Sequence, residues 1–347
     1  MATIKDIAAR AGVSHATVSN VLSGRATPGR RDAVARAKEI RRIAKELDYR
    51  PHTAAVTLRG GRSGMVAVLG DTPMTIDSDR TEERQIIMEF ADLLNERLGS
   101  DLTFRLGLRN GGPFDLPPWK VDAAVVLGVA TEEDLQPVER SMLPYVGINA
   151  ERGRRPGTSA VLYDDHAAVA EAVDRFVVSG HRRIAFINGP TGFTHRSVEE
   201  RRRGYIDAIR GHGLDPVPGH EQGTFDAELT RDDLLWLRRD HAATAFLTYE
   251  PLVAASLYRV AEDLGLKIPR DLSVITFNES QVGNRFLRPR LACLTRPARP
   301  TAEAAVELLA ELLGEGPDAG HADRRGRTIV IRQKLVGSES IGPAPSR

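Results

Sequence analysis

The twenty-two residues that open the chain leave few folds available to them. Ile4, Ile7, Ala8 and Ala11 recur at helical spacing and form one apolar stripe. Thr3 precedes them as an N-cap whose hydroxyl can satisfy an orphan amide. Gly12 ends the run, because glycine leaves a helix through a positive φ at little cost. Val13 fills the corner, Ser14 caps again, and Ala16, Val18, Val21 and Leu22 continue in helical register. Small side chains at Ala8, Ala9 and Ala11 let the two helices cross closely. Two short helices at a tight turn form a helix-turn-helix, whose second helix enters a DNA major groove. A purely structural helix pair gives no role to the polar set Ser14, His15, Thr17, Ser19 and Asn20.

Charge agrees with that reading. The formal net charge is +1, yet residues 1–62 carry 13 Lys and Arg against 5 Asp and Glu, so the rest of the chain is acidic. A basic head on an acidic body is the footprint of a polyanion-binding module joined to a soluble partner domain. A Gly/Pro turn region, SGRATPGRR, precedes a third helix over 31–47, with Val34, Ala37, Ile40, Ile43, Ala44 and Leu47 on its apolar side. Pro51 then forces Arg50 out of helical geometry and marks the exit from this small domain.

Beyond residue 64, short β-rich runs alternate with amphipathic helices. Strands are expected over 65–69, 102–106, 123–127, 145–148, 184–187, 244–247 and 272–276, with helices over 83–98, 167–179, 198–212, 252–264 and 301–313. Such alternation implies parallel sheets with helices on both faces. Two such units in a row make an α/β body of two lobes with a cleft between them. Ligands bind such folds at the C-terminal ends of the strands, which here carry Asp71, Asn149, Glu250 and Asn278.

The pattern T-I-K-D-I-A-A-R-A-G-V-S-x-A-T-V-S-x-V-L closely resembles the headpiece of the LacI/GalR family of bacterial regulators. The resemblance continues through Ser179-Gly180-His181-Arg182-Arg183-Ile184-Ala185-Phe186-Ile187, through Arg201-Arg202-Arg203-Gly204-Tyr205, and through Gly265 to Val274. It is weakest between residues 71 and 118. It implies a headpiece over 1–49, a hinge helix or linker over 50–62, and a two-lobed periplasmic-binding-protein-like body over 63–342. Lobe one would hold 63–161 and 291–323, lobe two 162–290 and 324–342, with crossovers at 161–164, 290–296 and 324–329. The tail 343–347, in a Pro/Ser/Gly-rich end, is expected to be disordered, which favours a homodimer over a tetramer.

The same resemblance assigns sites. His15, Ala16 and Asn20 fall where family members read bases, while Thr3, Ser14, Thr17 and Ser19 fall where phosphates are held. Ala55 and Leu58 match the minor-groove hinge, although His52 and Val56 depart from the family's usual Asn and Arg; a plain flexible linker is the alternative. Arg201 matches the effector-binding Arg of sugar-responsive members, against the plainer alternative of a helix-surface Arg in the run 201–203. Tyr249-Glu250 and Asn278-Glu279 replace the family's Asn-Asp and Asp-Asp pairs, and Arg296 replaces its Gln before Pro297. These changes point to an unusual ligand or a weakened response. The region between the second helix and Tyr49 is about four residues longer than the family's, close to one helical turn.

The expectation is therefore a cytoplasmic, dimeric transcription regulator, most simply a repressor, acting on a near-palindromic double-stranded DNA operator. A sugar or sugar-like small molecule in the cleft would modulate it. Within this class the alternatives are a non-sugar effector or none; from another class, a cytoplasmic solute-binding module with a degenerate headpiece. No catalytic constellation, cofactor fingerprint, phosphate loop or zinc spacing is found, so neither enzyme activity, cofactor nor metal is expected. No stretch approaches a membrane span, and no secretory signal opens the sequence. The lone Cys293, in the apolar run LACLT, reads as a small buried filler.

Overall fold

The computed structural model describes residues 3–22, 31–47, 62–70, 81–104, 116–128, 132–189, 195–226, 228–279, 286–315 and 326–346. Two compact units emerge, Met1–Gly64 with Trp119–Val121, and Met65–Pro118 with Asp122–Arg347.

In the first unit, α1 (Ile4–Ala11), α2 (His15–Leu22) and α3 (Arg31–Glu46) pack around Ile7, Val18, Val21, Ile40, Ile43 and Ala44. Thr3 and Asp6 form a reciprocal capping box at the start of α1, and Gly12 closes it in the left-handed region at φ 62°. Val34 does not join this core: it is 56% exposed, because it sits on the outer side of α3 from Ile40 and Ile43. The helix runs sixteen residues; the loop over 23–30 and the hinge with Ala55 and Leu58 lie outside the described residues.

The second unit contains two sheets. The first has strand order β10-β5-β4-β3-β1-β2, with β1 Met65–Gly70, β2 Asp101–Phe104, β3 Ala123–Leu127, β4 Tyr145–Ile148, β5 Thr158–Tyr163 and β10 Thr328–Ile331. The second has order β11-β9-β8-β7-β6, with β6 Ile184–Ile187, β7 Ala245–Thr248, β8 Ser273–Phe277, β9 Ala292–Thr295 and β11 Lys334–Val336. Among the described residues every pairing is parallel except β9 with β11. Strands such as β3, AAVVL, are buried along their whole length, as expected where helices cover both faces.

Helices α4 (Thr81–Leu98) and α10 (Ala298–Leu312) pack on the first sheet through Phe90, Leu93, Leu94, Ala305 and Leu309. A further helix, α5 (Glu132–Ser141), belongs to this lobe. On the second sheet, α6 (Asp165–Val178) and α7 (Arg196–Gly211) bury Val169, Phe176, Tyr205 and Ile209. Gly204 is the contact point between these two helices, since a Cβ there would lie 3.0 Å from the His166 Cα. The opposite face is covered by α8 (Arg231–Leu235), which runs on into a π-helical turn, and α9 (Pro251–Asp263).

Strand membership moves two of the expected lobe boundaries. β9 pairs with β8 in the second sheet, so residues 291–295 belong to lobe two and the chain returns to lobe one only at Arg296-Pro297. β10 pairs with β5 in the first sheet, so residues 328–331 belong to lobe one and the last crossover falls at Arg332-Gln333, not at 324–329. The tail is likewise not loose. Ser340 is fully buried, its hydroxyl donating to the Val274 carbonyl (2.6 Å) and accepting from the Ala292 N–H (2.8 Å). Buried His181 holds the Gly342 carbonyl (3.1 Å), and the Ala344 N–H donates to the Ser179 carbonyl (2.8 Å). Specific hydrogen bonds order a segment whose composition reads as disordered. Cys293 is buried as expected, and burial pushes its thiol up to about 12. No described helix is long and apolar enough to cross a membrane.

Candidate functional site

The headpiece presents its polar residues in a defined way. Val18 and Val21 anchor α2 in the core, which turns His15, Ala16 and Asn20 outward to solvent. The Ser14 hydroxyl caps the helix by accepting from the Thr17 N–H (3.2 Å) and pairs with the Thr17 hydroxyl (2.8 Å). Ser19 is half-buried beside them. Thr3 is exposed and held by Asp6, whose carboxyl is kept below its ordinary value by the Thr3 hydroxyl and backbone N–H. Arg10 is turned toward α3, where it meets Glu46 at 3.3 Å.

The cleft end of the body is occupied by two charged networks. The first centres on Arg201. Its residue is 5% exposed; Nε donates to Asp165 Oδ1 (2.8 Å) and Nη1 to the Tyr249 carbonyl (2.9 Å). The guanidinium lies 3.7 Å from the Phe277 ring centroid and 4.5 Å from that of Tyr249, a cation–π arrangement shielded from water. Gln333, in the last crossover, donates to the same Asp165 oxygen (3.1 Å).

From Tyr249 the contacts continue across the lobes. Its hydroxyl meets Ser197 Oγ (2.6 Å), and Ser197 Oγ meets His195 Nδ1 (2.6 Å). His195 also accepts from the Ser197 N–H, so its proton resides on Nε2 and is donated to the Asn149 carbonyl of lobe one (2.9 Å). Burial holds the His195 pKa below 6.5, against the opposing pull of that carbonyl. Arg196 adds a second inter-lobe contact, to Glu151 (3.4 Å).

The second network centres on Arg296, which follows β9. Glu82, in the first turn of α4, accepts the Arg296 Nε–H at one oxygen (2.7 Å). Its other oxygen accepts the backbone N–H groups of Arg296 (3.1 Å) and Glu279 (2.8 Å). Glu83 takes the Arg296 Nη2 (2.6 Å). Both Glu82 and Arg296 side chains are almost fully buried, 2% and 5% exposed. Burial pushes the Glu82 carboxyl up, with Arg296 pulling the other way. Burial also opposes the Arg296 charge, but Glu83 and Glu82 outweigh it and hold its pKa well above the ordinary value.

Several expected site residues therefore fall at the cleft. Asn149 and Asn278 cap β4 and β8 in the left-handed region, at φ 57° and 66°, a conformation that asparagine tolerates better than most residues. Among the described residues, buried Asn278 Oδ1 has no hydrogen-bond partner, nor does Gln333 Oε1. Glu250 is half-buried at the start of α9. Asp71 lies outside the described residues. Arg201 is not a surface residue of α7: it is buried in lobe two, with Nε and Nη1 bonded there. A separate cavity of about 470 Å³ is lined by His195, Arg196, Val198, Glu199, Arg202, Glu221 and Gln222, all from lobe two. Sequence reasoning missed Glu82, Asp165, His195 and Gln333. For the burial of Arg201 a signal existed, since positions 197, 198, 201, 204 and 205 share one helical face.

Outward-facing polar residues on a helix-turn-helix, carried by a two-lobed α/β body with a polar cleft, define a DNA-binding regulator built on a solute-binding scaffold. Residues 3–52 match the model of bacterial regulatory proteins of the lacI family, and residues 173–333 that of the periplasmic binding protein-like domain. The chain thus carries a lacI-family DNA-binding domain and a periplasmic binding protein-like domain. It is 29% identical over 367 aligned positions to the HTH-type transcriptional regulator reg1 of Streptomyces lividans, covering 99% of this chain and 97% of that one. Among solved structures, the Lac repressor dimer bound to operator and the anti-inducer ONPF has the same fold, with a TM-score of 0.69, 18% identity and 98% coverage of both chains. The CelR–cellobiose complex gives a TM-score of 0.62 at 23% identity, covering 98% of this chain and 100% of that one.

Proposed function

We propose that this chain is a LacI-family, sequence-specific repressor that binds a near-palindromic operator as a homodimer. The observation that carries the reading is α2: its apolar residues are consumed by the headpiece core, leaving His15, Ala16 and Asn20 turned outward together. His15 can donate to or accept from a base edge, Ala16 can touch a thymine methyl, and Asn20 can pair with adenine. Thr3, Ser14, Thr17 and Ser19 would hold phosphate oxygens and so fix register without reading sequence. A hinge with Ala55 and Leu58 in the minor groove would couple the headpiece to the body. The site of small-molecule control is the cleft, with Asn149, Glu250 and Asn278 around it.

The effector is the open part of this reading. CelR was solved with cellobiose, which favours a sugar by analogy. A specific observation favours the other option: Arg201 Nε is bonded to Asp165, and Arg296 Nε and Nη2 to Glu82 and Glu83, so the charge of each guanidinium is already met by acidic residues of this chain. The acceptors of Asn278 and Gln333, without a partner among the described residues, suit a hydroxyl or amide donor on either class of ligand.

The test is selection of a binding site from random duplexes followed by titration of the selected duplex. Asn20→Ala should cost about 1–3 kcal/mol and relax preference at one base pair per half-site. A protein that binds the selected and scrambled duplexes equally well overturns the proposal.

A further inference from the structure

We infer that Glu82 is an internal ligand: its carboxylate fills a carboxylate cradle formed by Glu279 and Arg296 and so latches the two lobes together with no small molecule bound. The inference rests on the body being the regulatory module proposed above, but it concerns only the body and is read without DNA.

The geometry supports it as follows. Glu82 belongs to lobe one, in the first turn of a helix whose next residues, Ile86, Ile87 and Phe90, are fixed in that lobe's core. The Glu279 N–H belongs to lobe two, directly after β8, and Arg296 stands where the chain leaves β9. Three N–H donors converge on one carboxylate, the Glu279 N–H from across the cleft and two from Arg296 at the crossover: two backbone groups on Oε1 and the guanidinium Nε on Oε2. That is the donor set a free carboxylate ligand would need, and charge-assisted bonds of this kind are about twice as strong as neutral ones. Glu83 and the face of Tyr163, whose ring centroid lies 5.5 Å from the guanidinium, hold Arg296 in place. The backbone donors cannot turn away as a side chain can, so the cradle persists whenever the strand ends keep their positions.

A body latched in this way closes on its own side chain. A small molecule that opens the lobes would have to displace Glu82, and a carboxylate is the chemistry best matched to doing so.

The experiment is hydrogen exchange at the Glu279 and Arg296 amides of the full chain, followed by chemical rescue. In the wild type both amides should be protected with nothing added. Glu82→Ala removes the acceptor and should accelerate exchange at both by about tenfold or more. Sodium formate, against sodium chloride at equal ionic strength, should restore protection in Glu82→Ala and leave the wild type unchanged. Glu82→Gln keeps the shape should the alanine variant fail to fold, and should show faster exchange that formate does not reverse, because the amide still fills the cradle. Unchanged protection in Glu82→Gln and Glu82→Ala, or a formate effect no greater than chloride's, overturns the latch. Loss of operator preference in the wild type would overturn the regulator reading while leaving these exchange results standing.

Discussion

Replacing Arg201 by Met keeps an unbranched side chain of similar length between Phe277 and Tyr249 while removing the charge. Asp165, a neighbour only 3% exposed, would then retain the single bond from Gln333 and lose its cation. The Tyr249 carbonyl would lose the Nη1 donor as well. Stranding one partner of a buried pair costs about 3–5 kcal/mol, and Gln333 and the first turn of α6 offset part of it, so a loss of about 3 kcal/mol is expected. Urea unfolding of the body, followed by tryptophan fluorescence and circular dichroism together, measures it. The matching double variant, Arg201→Met with Asp165→Asn, removes the stranded charge while keeping an acceptor for Gln333. It should recover about 2 kcal/mol of the loss, a coupling within the range for residues in direct contact. A single-variant loss below about 1 kcal/mol, or a strictly additive double variant, would refute the assignment of Arg201 as an internal counter-ion. The outcome also decides how ligand screens are read, since a variant that unfolds the cleft loses every ligand.

Three further outcomes follow from named contacts. Burial depresses the His195 pKa below its unfolded value of 6.5, so the unfolded chain binds more protons, and stability is full above pH 6.5 and falls as the pH drops through the folded value. His195→Gln should remove part of the stability slope between about pH 7 and 5 in urea midpoints; an unaltered slope would exclude the inter-lobe role. Gly204→Ala improves intrinsic helix propensity by about 1 kcal/mol, yet its Cβ meets the His166 Cα and carbonyl oxygen at 3.0 and 3.1 Å. Backbone cannot rotate aside, so we expect a net loss of about 1–2 kcal/mol, and a raised melting temperature would contradict it. Ser340→Ala leaves the Ala292 N–H and the Val274 carbonyl without its hydroxyl and should cost about 1–3 kcal/mol; a silent substitution would mean the tail is dispensable.

The parts of this fold legible in the sequence are those where one physical signal dominates. The cap at Thr3, the glycine exit at Gly12 and the stripe through Ile7, Val18 and Val21 are local rules, and α1 and α2 follow them. Fully buried strands such as β3 and β8 read as apolar runs. β10, TIVI, is half exposed at a sheet edge and sits between polar segments, so nothing in its pattern assigns it to lobe one. α5 hides behind Pro137 and a charged composition, EEDLQPVERS. At the site, the sequence marked Arg201 as a match to the family and Arg296 as a departure from it, but could not pair them. Their partners lie 36 and 214 positions away, and only the closed topology brings Asp165 and Glu82 to them.

The strand order has a consequence for how the molecule is made. The first sheet is bounded on one side by β10, residues 328–331, and its cover helix α10 begins at residue 298, after β6 to β9 of the second lobe. A nascent chain emerging N-terminus first can therefore fold its headpiece early, but it holds an incomplete first lobe, with one edge of β5 unpaired, until residues 328–331 have been made. Lobe two waits as well, for β11 at 334–336. The outer strands of both sheets are thus made back to back, so truncation upstream of residue 328 removes the edge strand from each lobe rather than leaving one lobe intact.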